Sequence, residues 1–176
     1  MKALPNLLSA LRLALAPFIF WYLWVGDYGW ALLLFAVAAL TDYLDGFFAR
    51  RLVVHSRVGA VLDPVADKVL LSGTYLTLAL TGGMPAWIAW IVLGRDALIL
   101  AGAGALLAFT GKRREFPPSA WGKISTGFQI GFVLAVLLDV RAAAQVLLWV
   151  VAAVTVWSGI DYARLAFRRR YDVSNA

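Results

Sequence analysis

Apolar residues occupy this chain in six long runs, near positions 5–25, 29–49, 63–82, 85–108, 122–139 and 142–165, separated by polar connectors. A helix of about 17–25 such residues crosses a hydrocarbon layer of about 30 Å, so the pattern predicts six membrane-spanning helices. Three connectors, Gly26-Asp27, Thr81-Gly82-Gly83-Met84 and Asp139-Val140-Arg141, are short and contain one cation among them. The opposite ends collect most of the rest: Arg50, Arg51 and Arg57 in the second connector, Lys112, Arg113 and Arg114 in the fourth, and Arg164, Arg168, Arg169 and Arg170 near the C-terminus. By the positive-inside rule, both termini and the two longer connectors face the cytoplasm. Trp21, Tyr22, Trp24, Tyr28 and Trp30 around the first short connector, and Trp87 at the third, fit an interfacial aromatic belt on the other side.

The expected fold is therefore an all-α integral membrane protein, six transmembrane helices in one bundle, with residues 1–176 as a single domain. The charged start is only Met1 and Lys2, and no small-residue cleavage site precedes the first polar connector, so the first run reads as a retained helix. Composition agrees: 62% of the 176 residues are hydrophobic, eight are tryptophan, and neither a repeat nor a low-complexity linker interrupts them. With no cysteine, disulfides, thiolate nucleophiles and cysteine metal ligands are excluded. His55, the one histidine, reads as a solvated residue of a basic connector. The basic C-terminal run reads as a topology signal that also meets anionic lipid, at about 1 kcal/mol per cation near the surface.

The segment from Asp42 to Asp67 departs from this apolar background. It reads DYLDGFFAR, eight residues, then GAVLDPVAD. Asp42 and Asp45 lie three positions apart and Asp63 and Asp67 four, so on two helices each pair occupies one face. Four uncompensated carboxylates in a membrane would cost on the order of 10 kcal/mol, comparable to a whole domain's net stability. Bound divalent cations are the natural compensation, and a ligand set made only of carboxylates favours Mg²⁺ or Mn²⁺ over Zn²⁺. Gly46, Ala49 and Gly59 leave space for a ligand to approach the backbone. Arg50 continues the face of Gly46 with a planar fork suited to phosphate oxygens. Pro64 is placed in a first helical turn, where its missing donor costs little. Two metals between the pairs would clamp an in-line displacement at phosphorus, and a carboxylate oxygen free of them could accept a hydroxyl proton. The competing reading is a buried acid–arginine network that only holds the bundle together.

The pattern D-x-x-D-G-x-x-A-R, eight residues, G, three residues, D, three residues, D resembles the signature of the CDP-alcohol phosphatidyltransferases. Asp42, Asp45, Gly46, Ala49, Arg50, Gly59, Asp63 and Asp67 match it without a gap. The opening LPNLLSALRLALAP, the GRD at Gly94 to Asp96 and GKISTGFQ from Gly122 to Gln129 are similar to further landmarks of the family, so the resemblance covers nearly the whole chain. It implies a six-helix membrane enzyme, usually a homodimer, working at the cytoplasmic face, here of a bacterial inner membrane. It further implies two Mg²⁺ or Mn²⁺ ions on Asp42, Asp45, Asp63 and Asp67, with Asp67 also taking the acceptor proton. Gly46, Ala49, Arg50 and Gly59 would accommodate the nucleotide of CDP-diacylglycerol, and CMP would leave.

Cations outside the signature are candidates for the acceptor's phosphate: Arg12, Arg95 and Lys123, each in an otherwise apolar stretch. Arg95 also has the alternative of a structural pair with Asp96. The LDPVADK and GKIST segments resemble phosphatidylglycerophosphate synthases, which use glycerol 3-phosphate. The GRD, and LILAGAGALLAF where that branch usually has a second arginine-containing stretch, resemble cardiolipin synthases, which use phosphatidylglycerol. The expected acceptor is glycerol 3-phosphate, with phosphatidylglycerol as the alternative and no nucleic-acid partner. A divalent-cation transporter is the rival of another class, but it predicts mid-span carboxylates and inverted repetition, which the sequence lacks. A scaffold packed through Gly127-x-x-x-Gly131 is a third reading.

Overall fold

The computed structural model of the chain describes residues 4–51, 59–110 and 120–174. They form six helices: α1 (Leu4–Trp24), α2 (Tyr28–Arg51), α3 (Gly59–Leu80), α4 (Ala86–Thr110), α5 (Ala120–Leu137) and α6 (Arg141–Ser174). Each predicted span coincides with one of them. Among the described residues, three stretches are long and apolar enough to cross a membrane, Leu7–Trp24, Ala120–Leu137 and Arg141–Arg164, and Tyr28–Thr41 is apolar but shorter. Large apolar side chains such as Trp90, Leu98, Val146 and Trp149 are exposed, as on helices whose outer faces meet lipid.

Two helices differ from expectation at their ends. α3 begins at Gly59, four residues before the predicted start, so Pro64 stands in its second turn and leaves one backbone carbonyl without its usual donor. α6 continues to Ser174, well past the apolar run, because a helix needs no apolar face once it leaves the hydrocarbon.

The short connectors are tight turns. Gly26 (φ 78°) and Gly82 (φ 77°) take the left-handed conformation, and Asp139 (φ 52°) does so with a side chain. At the end of α1 the Asp27 amide donates to the Tyr22 carbonyl at 2.9 Å and the Gly26 amide to Leu23 at 3.3 Å, the paired bonds of a Schellman cap. Asp27 then caps α2 by accepting the Trp30 amide at 3.2 Å on Oδ1.

The chain divides into two compact units, Met1–Ala86 with Val136–Val140, and Trp87–Ala135 with Arg141–Ala176. In the first, α1 packs against both α2 and α3. Its buried face runs through Arg12, Ala16, Ile19 and Leu23, at helical spacing, and Ala31, Phe35 and Ala38 of α2 and Ala66, Leu70 and Leu78 of α3 are buried as well. A Cβ built at Gly73 would overlap the Phe20 ring, so α1 and α3 approach closely there. Two threonine hydroxyls on α3 are satisfied within the helix, with Thr74 donating to Leu70 and Thr77 to Gly73, both at 2.8 Å.

In the second unit Ile88 and Val92 of α4, Phe132 and Val133 of α5 and Val151 of α6 are buried together with polar residues. Ser125 and Thr155 hydroxyls lie 3.0 Å apart, and Gln129 Nε2 donates to both, at 3.2 and 3.1 Å. Buried polar groups in membrane-type helices are retained when they satisfy one another, and this triad ties α5 to α6.

Candidate active site

α2 runs unbroken through positions 42, 45, 46, 49 and 50, and α3 through 59, 63 and 67. The three- and four-residue spacings of the carboxylates therefore fall on regular helices, as the sequence requires. The side chains of Asp42, Asp45, Ala49, Arg50 and Asp63, with Gly46 and Gly59, lie outside the described residues, as does His55 in the connector. Among the described residues no group of three or more carboxylate or histidine side chains could hold a metal ion, and Asp67 is the one member of the predicted set whose surroundings are described.

Asp67 follows the buried Ala66 in the third turn of α3 and sits at the edge of the α1–α3 interface. Its Oδ1 accepts a hydrogen bond from Nη1 of Arg12, 55 residues earlier on α1. The two ends of this ion pair differ: the Arg12 side chain is 0% exposed and that of Asp67 44%. Nη2 of Arg12 also lies 3.5 Å from the buried Ser9 hydroxyl, one turn back. Arg12 therefore reaches its carboxylate from within the protein and leaves the outer side of that carboxylate accessible.

The other cations proposed from the sequence are in the second unit. Arg95 is buried and donates from Nη1 to Asp96 at 2.8 Å and from Nη2 to Ser158 of α6 at 3.0 Å. Its guanidinium lies 5.6 Å from the Tyr162 ring centroid. Here both partners are closed off, with side chains 7% and 8% exposed. Gly122 floors the cluster, since a Cβ there would stand 2.9 Å from Tyr162 Oη and 3.1 Å from Arg95 Nη2. Lys123, next along α5, is exposed.

Ser9, Ser158 and Tyr162 were not singled out from the sequence. The available signal was spacing: Ser9 and Arg12, Thr155 and Ser158, and Ser158 and Tyr162 are polar residues three or four apart on apolar helices.

Two acid-bearing helices, an internal arginine on one carboxylate and an apolar exterior define a membrane-embedded enzyme type. A sequence model of the CDP-alcohol phosphatidyltransferases matches residues 2–157, and the chain belongs to that family. It is 37% identical over 177 residues to a CDP-diacylglycerol–glycerol-3-phosphate 3-phosphatidyltransferase of Aquifex aeolicus, covering 93% of this chain and 96% of the relative. It is 33% identical over 178 residues to a probable phosphatidylglycerophosphate synthase of Mycobacterium tuberculosis, covering 94% and 82%. A cardiolipin synthase (CMP-forming) of Streptomyces coelicolor is 32% identical over 177 residues, covering 90% and 80%.

Proposed function

We propose that this protein transfers a phosphatidyl group from CDP-diacylglycerol to glycerol 3-phosphate and releases CMP. The observation that carries the reading is Asp67, a carboxylate held from behind by Arg12 and accessible in front, on the helix that completes the family's signature. The Aquifex relative, matched over 96% of its length, is named for this acceptor. The Streptomyces relative's name supports a second reading, in which phosphatidylglycerol is the acceptor.

The whole chain reads as one catalytic domain of six transmembrane helices in a single bundle, since one family model spans residues 2–157. The distribution of cations supports an active face on the cytoplasmic side, the membrane we propose is a bacterial inner membrane, and the resemblance adds a homodimer. Asp42, Asp45, Asp63 and Asp67 form an all-oxygen donor set that fits hard cations, and they would hold two Mg²⁺ or Mn²⁺. The half-exposed Asp67 suits such a role because an incoming group can reach it. When bound, the ions would neutralise charge on the pyrophosphate and at the leaving oxygen.

The chain's own groups do the rest. Gly46, Ala49, Arg50 and Gly59 receive the nucleotide and its phosphates. Asp67 takes the proton of the acceptor hydroxyl as its oxygen bonds to the phosphatidyl phosphorus and the bond from that phosphorus to the CMP oxygen breaks. Of the three cations expected from the sequence to meet the acceptor's phosphate, we assign the role to the exposed Lys123, because Arg95 and Arg12 are buried and engaged by Asp96 and Asp67.

The test is CMP release by purified protein in detergent given CDP-diacylglycerol and Mg²⁺, with glycerol 3-phosphate and phosphatidylglycerol supplied separately. Release with glycerol 3-phosphate is expected. Release with phosphatidylglycerol alone would move the protein to the second reading, and metal-dependent cation uptake into vesicles without CMP release would favour a transporter.

A further inference from the structure

We infer that Arg12 is the positioning residue of the reaction: by anchoring Oδ1 it sets where the Asp67 carboxylate stands as it takes the acceptor's proton. The inference rests on the base role proposed for Asp67 and deepens it.

Arg12 stands on the buried face of α1, in register with Ala16, Ile19 and Leu23, where an apolar residue would serve packing better. Its guanidinium crosses to α3 and donates to Asp67 Oδ1, with Ser9 at 3.5 Å on the other amino group. With Ser9 on Nη2, the rigid guanidinium gives Nη1 a set position and anchors one oxygen of the Asp67 carboxylate, which a flexible ammonium does less well. An arginine serving only to bind a soluble acceptor would need a route to solvent, and Arg12 is 0% exposed. An arginine serving only as an internal clamp would bury its partner too, as Arg95 buries Asp96 at 8%. Arg12 does neither: it is enclosed while the carboxylate it grips is 44% exposed.

The register of this grip is set by α1–α3 packing. Gly73 lets the Phe20 ring seat against α3, two turns along each helix from Asp67 and Arg12. The orientation of Asp67 is thus coupled to how closely two helices approach, and a shift of about 1 Å at a reacting group can lower a rate about 100-fold.

The experiment compares wild type, Arg12→Lys, Asp67→Asn and the double variant in the full chain, with three readouts: kcat for CMP release, KM and directly measured Kd for CDP-diacylglycerol, and thermal unfolding in detergent. Arg12→Lys retains charge and loses the fork, so kcat should fall about 10- to 100-fold. Its KM and Kd should stay near wild type, and its unfolding temperature should change little. In the double variant the loss should equal that of Asp67→Asn alone, because nothing remains to be oriented. Unchanged kcat in Arg12→Lys, a loss that moves with Kd and unfolding temperature together, or losses that multiply in the double variant would each overturn the inference. Should Arg12→Lys not fold, Ser9→Ala carries the same test, with a smaller fall in kcat expected at unchanged Kd and an unchanged kcat overturning the inference. If Asp67→Asn alone turned over normally, the base role and the inference would both fall; if wild type released no CMP with either acceptor, the proposed function would fall first.

Discussion

The two arginine–aspartate pairs of this protein use the same chemistry for opposite ends. Arg95 and Asp96 are neighbours on one helix, both enclosed, and Arg95 also meets Ser158 and Tyr162 of α6. Arg12 and Asp67 are on different helices, with one member enclosed and the other half open. A pair sealed on both sides can only hold structure, since its desolvation is repaid by internal hydrogen bonds and nothing enters. A pair sealed on one side fixes a charge and still presents it. Which partner is exposed therefore separates the two roles better than the presence of an ion pair.

The largest expected effect falls on the open pair. Asp67→Asn should lower kcat for CMP release by about 10²- to 10⁴-fold with CDP-diacylglycerol binding largely kept, read by steady-state kinetics beside a direct Kd. Normal turnover in that variant would erase the distinction drawn between the pairs. Next is the closed pair: Arg95→Met removes the guanidinium from a buried carboxylate and should destabilise by about 3–5 kcal/mol, seen as a lower unfolding temperature in detergent. Arg95→Met with Asp96→Leu should recover part of that loss. A stable but inactive Arg95→Met would instead give Arg95 the acceptor role that the sequence suggested.

Gly73→Ala displaces the Phe20 ring packed over it and should cost about 1–3 kcal/mol, with kcat falling further than stability alone explains if the displacement shifts α3 and Asp67 with it. The smallest change, Ser158→Ala, removes one hydrogen bond to Arg95 and should cost about 1–2 kcal/mol without altering kcat. Together they ask whether the two pairs fail separately.

Most of the architecture could be read from the sequence because hydrophobic length and turn chemistry are local. The runs around Gly26, Gly82 and Asp139 end where the helices end, and the acids of α2 and α3 fall on continuous helices. The end of α6 was not legible, since counting apolar residues finds where a helix leaves lipid and not where it stops being helical. The start of α3 was misplaced by the habit of putting proline in a first turn.

The sequence marked Arg12 as an expensive cation in an apolar stretch, yet its partner lies 55 residues away and no local rule connects them. Arg95 was easier, as Asp96 follows it directly, but Ser158 and Tyr162 required the packing of α4 against α6. Periodicity says which face a residue occupies; it does not say which residue on another helix will face it.

The three turns also sort the chain by handedness. At Gly26 and Gly82 the backbone is in the mirror-image region with an achiral residue, so a D-alanine at either place would suit the fold that an L-alanine would strain. At Asp139 the chain makes the same bend with an L residue. The tips of these hairpins are thus where stereochemistry alone, with no side-chain contact altered, can tighten or loosen the protein.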